Sequence, residues 1–401
     1  MISHVSQTSP GGSHSWDKDR DPGLDFLRAL SIVCMTVSHY SYHLPQLTLS
    51  ARVLQFVFET SAPLFFFSFG MTFDRFFAKG AGFMWERSRR FFYLALCVNL
   101  LFHKRLLASD FFWFLWFWQA AVALIEGFFR PLTVLWAIIA AGIAGGLFLF
   151  PFTDMSNVFG LGLPGSFPLL PWGGFVLAGI VFSRVGGSTG RDMGISILLM
   201  VLGLGFGLAG SLGVWNNFIL VRWPMSGPYF LFGTGMVIFL ISAVRHWQSI
   251  YFSAPGLARG SGYISKNLLT FVALHFVAYL PAGLSLGLFD ILGLIRQHPW
   301  LNAPAIVLGG VVSMVILVIL GRATETLWPV IQGKKILVIA RRHFDGVALL
   351  LLGLLIVLGK ESGGYPTAWT FTLTDTAIWF VLWYFALEIQ KSGKPKAGLP
   401  D

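Results

Sequence analysis

The sequence predicts an all-α fold: a polytopic membrane helix bundle of about 10–12 transmembrane helices. Of 401 residues, 55% are hydrophobic and only 11% charged, more apolar surface than a soluble domain of this size could cover with polar groups. Glycine (45) and phenylalanine (40) are both abundant, which suits closely packed helices with bulky lipid-facing side chains. A membrane β-barrel would instead alternate polar and apolar residues along short strands.

A spanning helix needs about 20 apolar residues. On that ruler about twelve segments qualify, near 25–43, 52–75, 88–103, 109–129, 131–152, 167–183, 193–213, 226–244, 264–284, 303–321, 345–359 and 369–389. Residues 1–20 are rich in Ser, Gly and charge, lack the apolar stretch of a signal peptide, and are expected to be a flexible cytoplasmic tail. The bundle is expected over 21–390, with a second cytoplasmic tail at 391–401. The segment near 88–103 is short and runs into Lys104 and Arg105, which leaves tilted, re-entrant and partly spanning readings open. Residues 323–344 mix Trp, Leu and Ile with basic side chains, the pattern of an amphipathic helix lying at the inner surface. No internal repeat is visible, which disfavours transporters built from duplicated halves.

The net charge of +10 does not indicate nucleic-acid binding, because the basic residues fall in short clusters between apolar runs, where they act as topology signals. With an inner N-terminus, Arg75, Lys79, Arg87, Arg89, Arg90, Arg184, Arg191, Arg245, Arg259 and Arg322 all fall in inner loops. Both termini are then cytoplasmic. Cys34 and Cys97 lie within apolar segments and read as packed thiols, with no disulfide or metal spacing.

Charged groups inside apolar spans cost free energy and are usually kept for a task. The first span opens with Asp25 and Arg28 and ends with His39 and His43. His39 lies roughly 20 Å along that helix, and Glu59 on the returning helix falls at a similar depth. The two are either a general base with the group that fixes its tautomer, or a buried structural pair. His43, one turn further out, is an interfacial snorkelling side chain or a participant, and a histidine pair is also a metal or haem ligand set. Arg87-Ser88-Arg89-Arg90 is either a positive-inside signal or a phosphate clamp for a nucleotide-bearing donor such as coenzyme A. His275, reached from Asn267 two turns earlier, reads as a core histidine near the midplane.

These stretches resemble the transmembrane acyltransferase superfamily, in particular the branch related to heparan-alpha-glucosaminide N-acetyltransferase, and more distantly acyltransferase family 3. Leu24 to Tyr40 is similar to the opening helix of that family, with Ala29 where Gly is usual. Glu59 to Gly70 is similar to its second helix, in which an acid precedes Pro by four residues. Phe167-Pro168 to Gly179 resembles its Pro-Trp-x-Gly span and is the most specific stretch. Asn267 to His275 resembles its Asn-to-His helix, with departures at Leu268 and Thr270. The likeness extends over about residues 20–285.

The resemblance implies an enzyme that passes an acyl group, expected to be acetyl, from cytoplasmic acyl-CoA to a hydroxyl or amine of an extracytoplasmic glycan or glycolipid. It implies His39 as the catalytic histidine, as acyl carrier or general base, with Glu59 orienting it. Arg87 and Arg90 match the Arg-x-x-Arg spacing of acyltransferase family 3 and would hold the donor. Arg28, Gln119, Trp172, Asn267 and His275 would line the donor tunnel or acceptor pocket. In the heparan branch the histidine lies in the following outer loop, which makes His43 the alternative catalyst. The expected setting is a bacterial inner (plasma) membrane, with membrane lipid and the acceptor as partners, no metal cofactor, and a homo-oligomer compatible with the bundle. The competing reading is a multi-span transporter or flippase, in which the same polar residues form a substrate path.

Overall fold

The computed structural model describes residues 21–41, 44, 48–103, 110–129, 132–149, 167–212, 225–275, 290–332, 346 and 350. Among these the chain is helical and contains no strand. In chain order the helices are α1 Pro22–Ser41, α2 Leu49–Phe58, α3 Ser61–Met71, α4 Phe73–Phe77, α5 Ala81–His103, α6 Phe111–Phe128 and α7 Thr133–Leu149. They continue as α8 Leu169–Val185, α9 Thr189–Ser211, α10 Gly227–His246, α11 Gln248–Ser253, α12 Pro255–Lys266, α13 Ile291–Gln297 and α14 Asn302–Gln332. Residues 268–275 form a further helical stretch beyond α12. Five described segments are long and apolar enough to cross a membrane: Leu49–Met71, Phe111–Phe128, Thr189–Ser211, Gly227–His246 and Pro299–Leu327.

α1 is the central helix, packed against α2, α3, α10, α12 and α14. Its polar residues are met by neighbours. Asp21 caps its start, accepting the Gly23 and Leu24 backbone N–H groups at 3.0 and 3.3 Å, while Pro22 fills the position where no N–H donor is needed. The same carboxylate accepts the Arg245 guanidinium at 2.5 Å, which fastens the end of α10 to the start of α1. One turn on, buried Asp25 accepts the Ser265 hydroxyl at 2.6 Å and joins α1 to α12.

The second predicted span is broken. Pro63 carries no N–H, so the Glu59 carbonyl four residues earlier loses its helical donor, and the chain kinks between α2 and α3. The freed carbonyl accepts the Tyr229 hydroxyl of α10 at 3.3 Å. The acid-before-proline pattern thus marks a joint between three helices.

α3 and α8 cross at two glycines that face each other's backbone. A Cβ on Gly70 would overlap the Val176 carbonyl oxygen, and one on Gly179 would overlap that of Phe67. One turn into α8, the Trp118 indole lies on Gly173 and donates Nε1–H to the Leu169 carbonyl at 2.9 Å. Trp172 is the buried centre of an aromatic cluster with Phe66, Phe167, Phe175 and Tyr229. The Pro-Trp-x-Gly pattern is therefore a packing device in which small residues let backbones approach and large ones fill the adjoining space.

At the end of α8, Arg184 donates to both oxygens of Asp74 from its Nε–Nη2 edge, at 2.9 and 2.6 Å, and from Nη1 to Glu126 at 2.8 Å. Glu126 also accepts Trp136 Nε1–H at 2.6 Å. This hub ties α4, α6, α7 and α8 at the end of the bundle that carries Asp21 and Arg245.

Several boundaries differ from the sequence expectation. The segment near 88–103 begins seven residues earlier and is a full helix of 23 residues, because Glu86 pairs with Arg89 and with Arg90 at 2.6 Å along its face and stabilises a polar first half. The span near 264–284 is interrupted at Asn267. The first part of 323–344 continues α14 as far as Gln332, through Pro329, and is no separate surface helix. The tail 1–20, Lys104 and Arg105, residues 333–344, and all but residues 346 and 350 of the expected spans near 345–359 and 369–389 lie outside the described residues, as does the tail 391–401.

Gly179→Ala should cost about 1–3 kcal/mol of stability, read as a lower melting temperature in detergent, whereas Gly142→Ala, with open space around its Cβ, should leave it unchanged. Burial pushes the Asp21 carboxyl up, yet the hydrogen bond and charge of Arg245 outweigh it and hold the group below its ordinary value. A depressed carboxyl stabilises the fold fully above its unfolded value, about pH 4, and loses that contribution as pH falls below it. The melting temperature of Arg245→Gln should accordingly converge with that of the unaltered protein on acidification.

Candidate functional site

The histidine end of α1 opens into a cavity lined by His39, Ser61, Asp110, Phe65, Phe111, Val272 and His275, with Met35, Phe112 and Phe167 among its apolar walls. His39 and His275 meet there edge to face, with ring centroids 4.9 Å apart. His275 is 2% exposed, and its Nδ1 is bonded to the Val272 carbonyl one turn back. A neutral imidazole that donates from Nδ1 presents Nε2 as a base. His39 is the more accessible ring of the two. The tertiary fold thus joins a histidine read as a core residue to the one read as the catalyst.

Asp110 is the carboxylate of this cavity. It caps α6, accepting the Phe111 backbone N–H at 2.7 Å, which fixes its position at the rim. Sequence reasoning passed over it, although an Asp directly ahead of an apolar run is a helix-start signal. Glu59 is not among the lining residues; its carboxylate accepts the Gln55 amide at 3.1 Å along its own helix turn. His43 lies outside the described residues.

A second cavity lies on the side of the first turned toward the basic end, lined by Arg28 and Arg87 with Ser68, Thr72, Phe76 and Phe91. Arg28 precedes His39 by eleven residues on α1, about 16 Å along the helix. Arg87 is buried: its Nε–H donates to Gln119 Oε1 at 3.0 Å, and its guanidinium lies over the rings of Phe76 and Phe91 at 4.1 and 4.9 Å. Gln119 in turn donates to the Ser88 hydroxyl at 2.9 Å, so its amide orientation is set from both sides. Two guanidinium groups facing one apolar cavity are suited to an anionic ligand of the phosphate class.

The Arg-x-x-Arg pair itself is split. Arg87 faces the cavity, whereas Arg90 turns to Glu86 at 2.6 Å, and the second guanidinium of the cavity is Arg28. Three residues on a helix leave side chains only about 60° apart, but here the ion pair with Glu86 draws Arg90 away from the cavity along the helix face. Asn267 lies outside both cavities, where its amide donates to the Tyr263 carbonyl at 3.1 Å and to Glu325 at 2.9 Å and joins the end of α12 to α14. Trp172 also stands behind the cavity wall rather than in it, touching the lining residue Phe167. Among the described residues no group of three or more His, Cys, Asp or Glu side chains could hold a metal ion.

The two cavities share Phe65, Phe111 and Val272. They are stacked compartments with a common wall, one bearing guanidinium groups and the other imidazoles and a carboxylate.

Residues 20–201 match the family described as heparan-alpha-glucosaminide N-acetyltransferase, catalytic. The match takes in α1 to α8 and the first half of α9, and with them His39, Arg28, Arg87, Asp110 and Gln119; His275 lies beyond it. No curated protein and no solved structure matches the chain. The matched family and the long apolar helices together support a membrane-embedded transferase of the acetyltransferase kind.

Asp110→Asn keeps a capping side chain and should hold the melting temperature, while Asp110→Ala should cost about 1 kcal/mol. Equal losses in the two variants would mean that the charge, and not the cap, stabilises α6.

Proposed function

We propose that this chain is an acyl-CoA-dependent membrane acyltransferase that moves an acetyl group from a cytoplasmic donor to a hydroxyl or amine of an extracytoplasmic glycan or glycolipid. The observation that carries this reading is the stacking of the Arg28–Arg87 cavity on the His39–His275 cavity across the bundle. A donor with a large anionic head cannot cross hydrocarbon, so transfer to an outside acceptor requires phosphate recognition at one end and acid–base chemistry at the other. The basic end, with Arg87, Arg184 and Arg245, faces the cytoplasm by the positive-inside rule, in a bacterial inner membrane.

Acetyl-CoA, the donor substrate, would supply the activated thioester. Arg28 and Arg87 neutralise its phosphates, and Gln119 keeps the Arg87 fork aimed into the cavity. At the other end His39, the more accessible ring, takes the proton from the acceptor hydroxyl or amine as that atom bonds to the thioester carbonyl carbon. The carbon–sulfur bond breaks, and the imidazolium returns the proton to the departing sulfur. His275, anchored on Val272, steadies the His39 ring from behind. Membrane lipid surrounds the bundle, and a homo-oligomer is compatible with its exposed faces.

Transfer from labelled acetyl-CoA in proteoliposomes tests this. His39→Ala should abolish transfer while leaving the protein folded and inserted. Arg87→Ala should raise the donor KM about ten- to a hundredfold, the equivalent of about 1.5–3 kcal/mol for a lost charged hydrogen bond. Activity retained in His39→Ala and lost in His43→Ala would move the catalyst one turn outward. No CoA release by the unaltered protein with any acceptor would favour transport.

A further inference from the structure

Two polar cavities stacked through a membrane would, if joined, form a water path from one face to the other. That path would leak small ions, and it would bring water to a thioester whose useful partner is the acceptor. What separates the cavities is a wall of three apolar side chains from three elements: Phe65 of α3, Phe111 at the first position of α6, and Val272 of the 268–275 helix.

The wall is tightly built. Phe65 and Val272 are 5% and 2% exposed. The rings of Phe65 and Phe111 meet edge to face at 5.3 Å, and Phe111 also touches Phe66 at 5.6 Å and Phe167 at 6.1 Å. The Phe65 carbonyl accepts the hydroxyl of Ser68, which lines the arginine cavity, and the Val272 carbonyl holds His275, which lines the other. The backbones of two wall residues are therefore tied to one compartment each. Phe111 is the least buried of the three wall residues. A constriction lined by two aromatic rings and a valine holds water poorly, since it offers no hydrogen-bond partner.

We propose that Phe65, Phe111 and Val272 form a hydrophobic partition that admits the narrow arm of the donor and excludes water, and so determine that the acyl group goes to the acceptor rather than to hydrolysis. The proposal rests on the acyltransferase reading for its chemistry. The side reaction it suppresses is attack of water on the thioester carbonyl, which releases the carboxylic acid and the free thiol.

Two measurements on the full chain in proteoliposomes test it. CoA release from acetyl-CoA without acceptor should rise several-fold in Phe65→Ala/Phe111→Ala, with Phe111→Leu intermediate and serving as the folded variant if the double change fails to insert. Separately, Ser61→Cys, placed in the histidine cavity with Cys34 and Cys97 changed to Ser, should react with a cationic, membrane-impermeant thiosulfonate supplied from the basic face only once the two rings are removed. Labelling from that face at the same rate with the rings intact would overturn the proposal, as would unchanged hydrolysis in the opened variants of an active enzyme. If the unaltered protein releases no CoA with any acceptor, yet labelling still depends on the two rings, the acyltransferase reading fails and the partition stands.

Discussion

Polar groups along α1 and at its start meet residues of neighbouring helices, because hydrocarbon offers them no partner. Asp21 is met by Arg245, Asp25 by Ser265, and His39 by the ring of His275. An unpaired polar group at such depth costs several kcal/mol; the two carboxylates are each bonded by a different neighbouring helix, and the His39 ring packs on a third. α1 is thereby fixed in height and rotation relative to α10, α12 and the 268–275 helix, and that fixing decides which residues share a cavity.

The surrounding packing serves the same end. Gly70 and Gly179 let α3 and α8 approach to backbone contact, which brings the aromatic run of α3 against Trp172 and leaves Phe65 facing α6. The proline joint at Glu59 bends the chain so that Ser61 starts a new helix beside the histidines while Thr72 ends it beside Arg28. One helix, α3, thus lines both compartments, and its ring at position 65 closes the wall between them. The polar hub of Arg184, Asp74 and Glu126 holds the far end of the same helices, away from the histidine pair.

The arginine cluster illustrates how neighbours redistribute roles. On the sequence, Arg87, Arg89 and Arg90 are equivalent cations in one helix turn. In the structure Glu86 engages two of them, and Gln119 with two phenylalanine rings receives the third in a buried site. A guanidinium bound over aromatic faces and aimed by a single amide keeps its charge available to an anion, which a surface ion pair does not.

Composition and hydropathy alone determined the helical, membrane-embedded class, because the need to satisfy backbone polar groups in lipid leaves helices as the solution for long apolar runs. The motifs of α1, α3 and α8 were legible too, since a Gly, a Pro or a Trp acts within one or two turns of its own position. Only the tertiary structure decided that His275 joins His39, that Asp110 rather than Glu59 lines their cavity, and that Arg28 rather than Arg90 stands with Arg87. Those pairings depend on helix rotation and register set by contacts between residues far apart in the chain, information that local pattern does not contain.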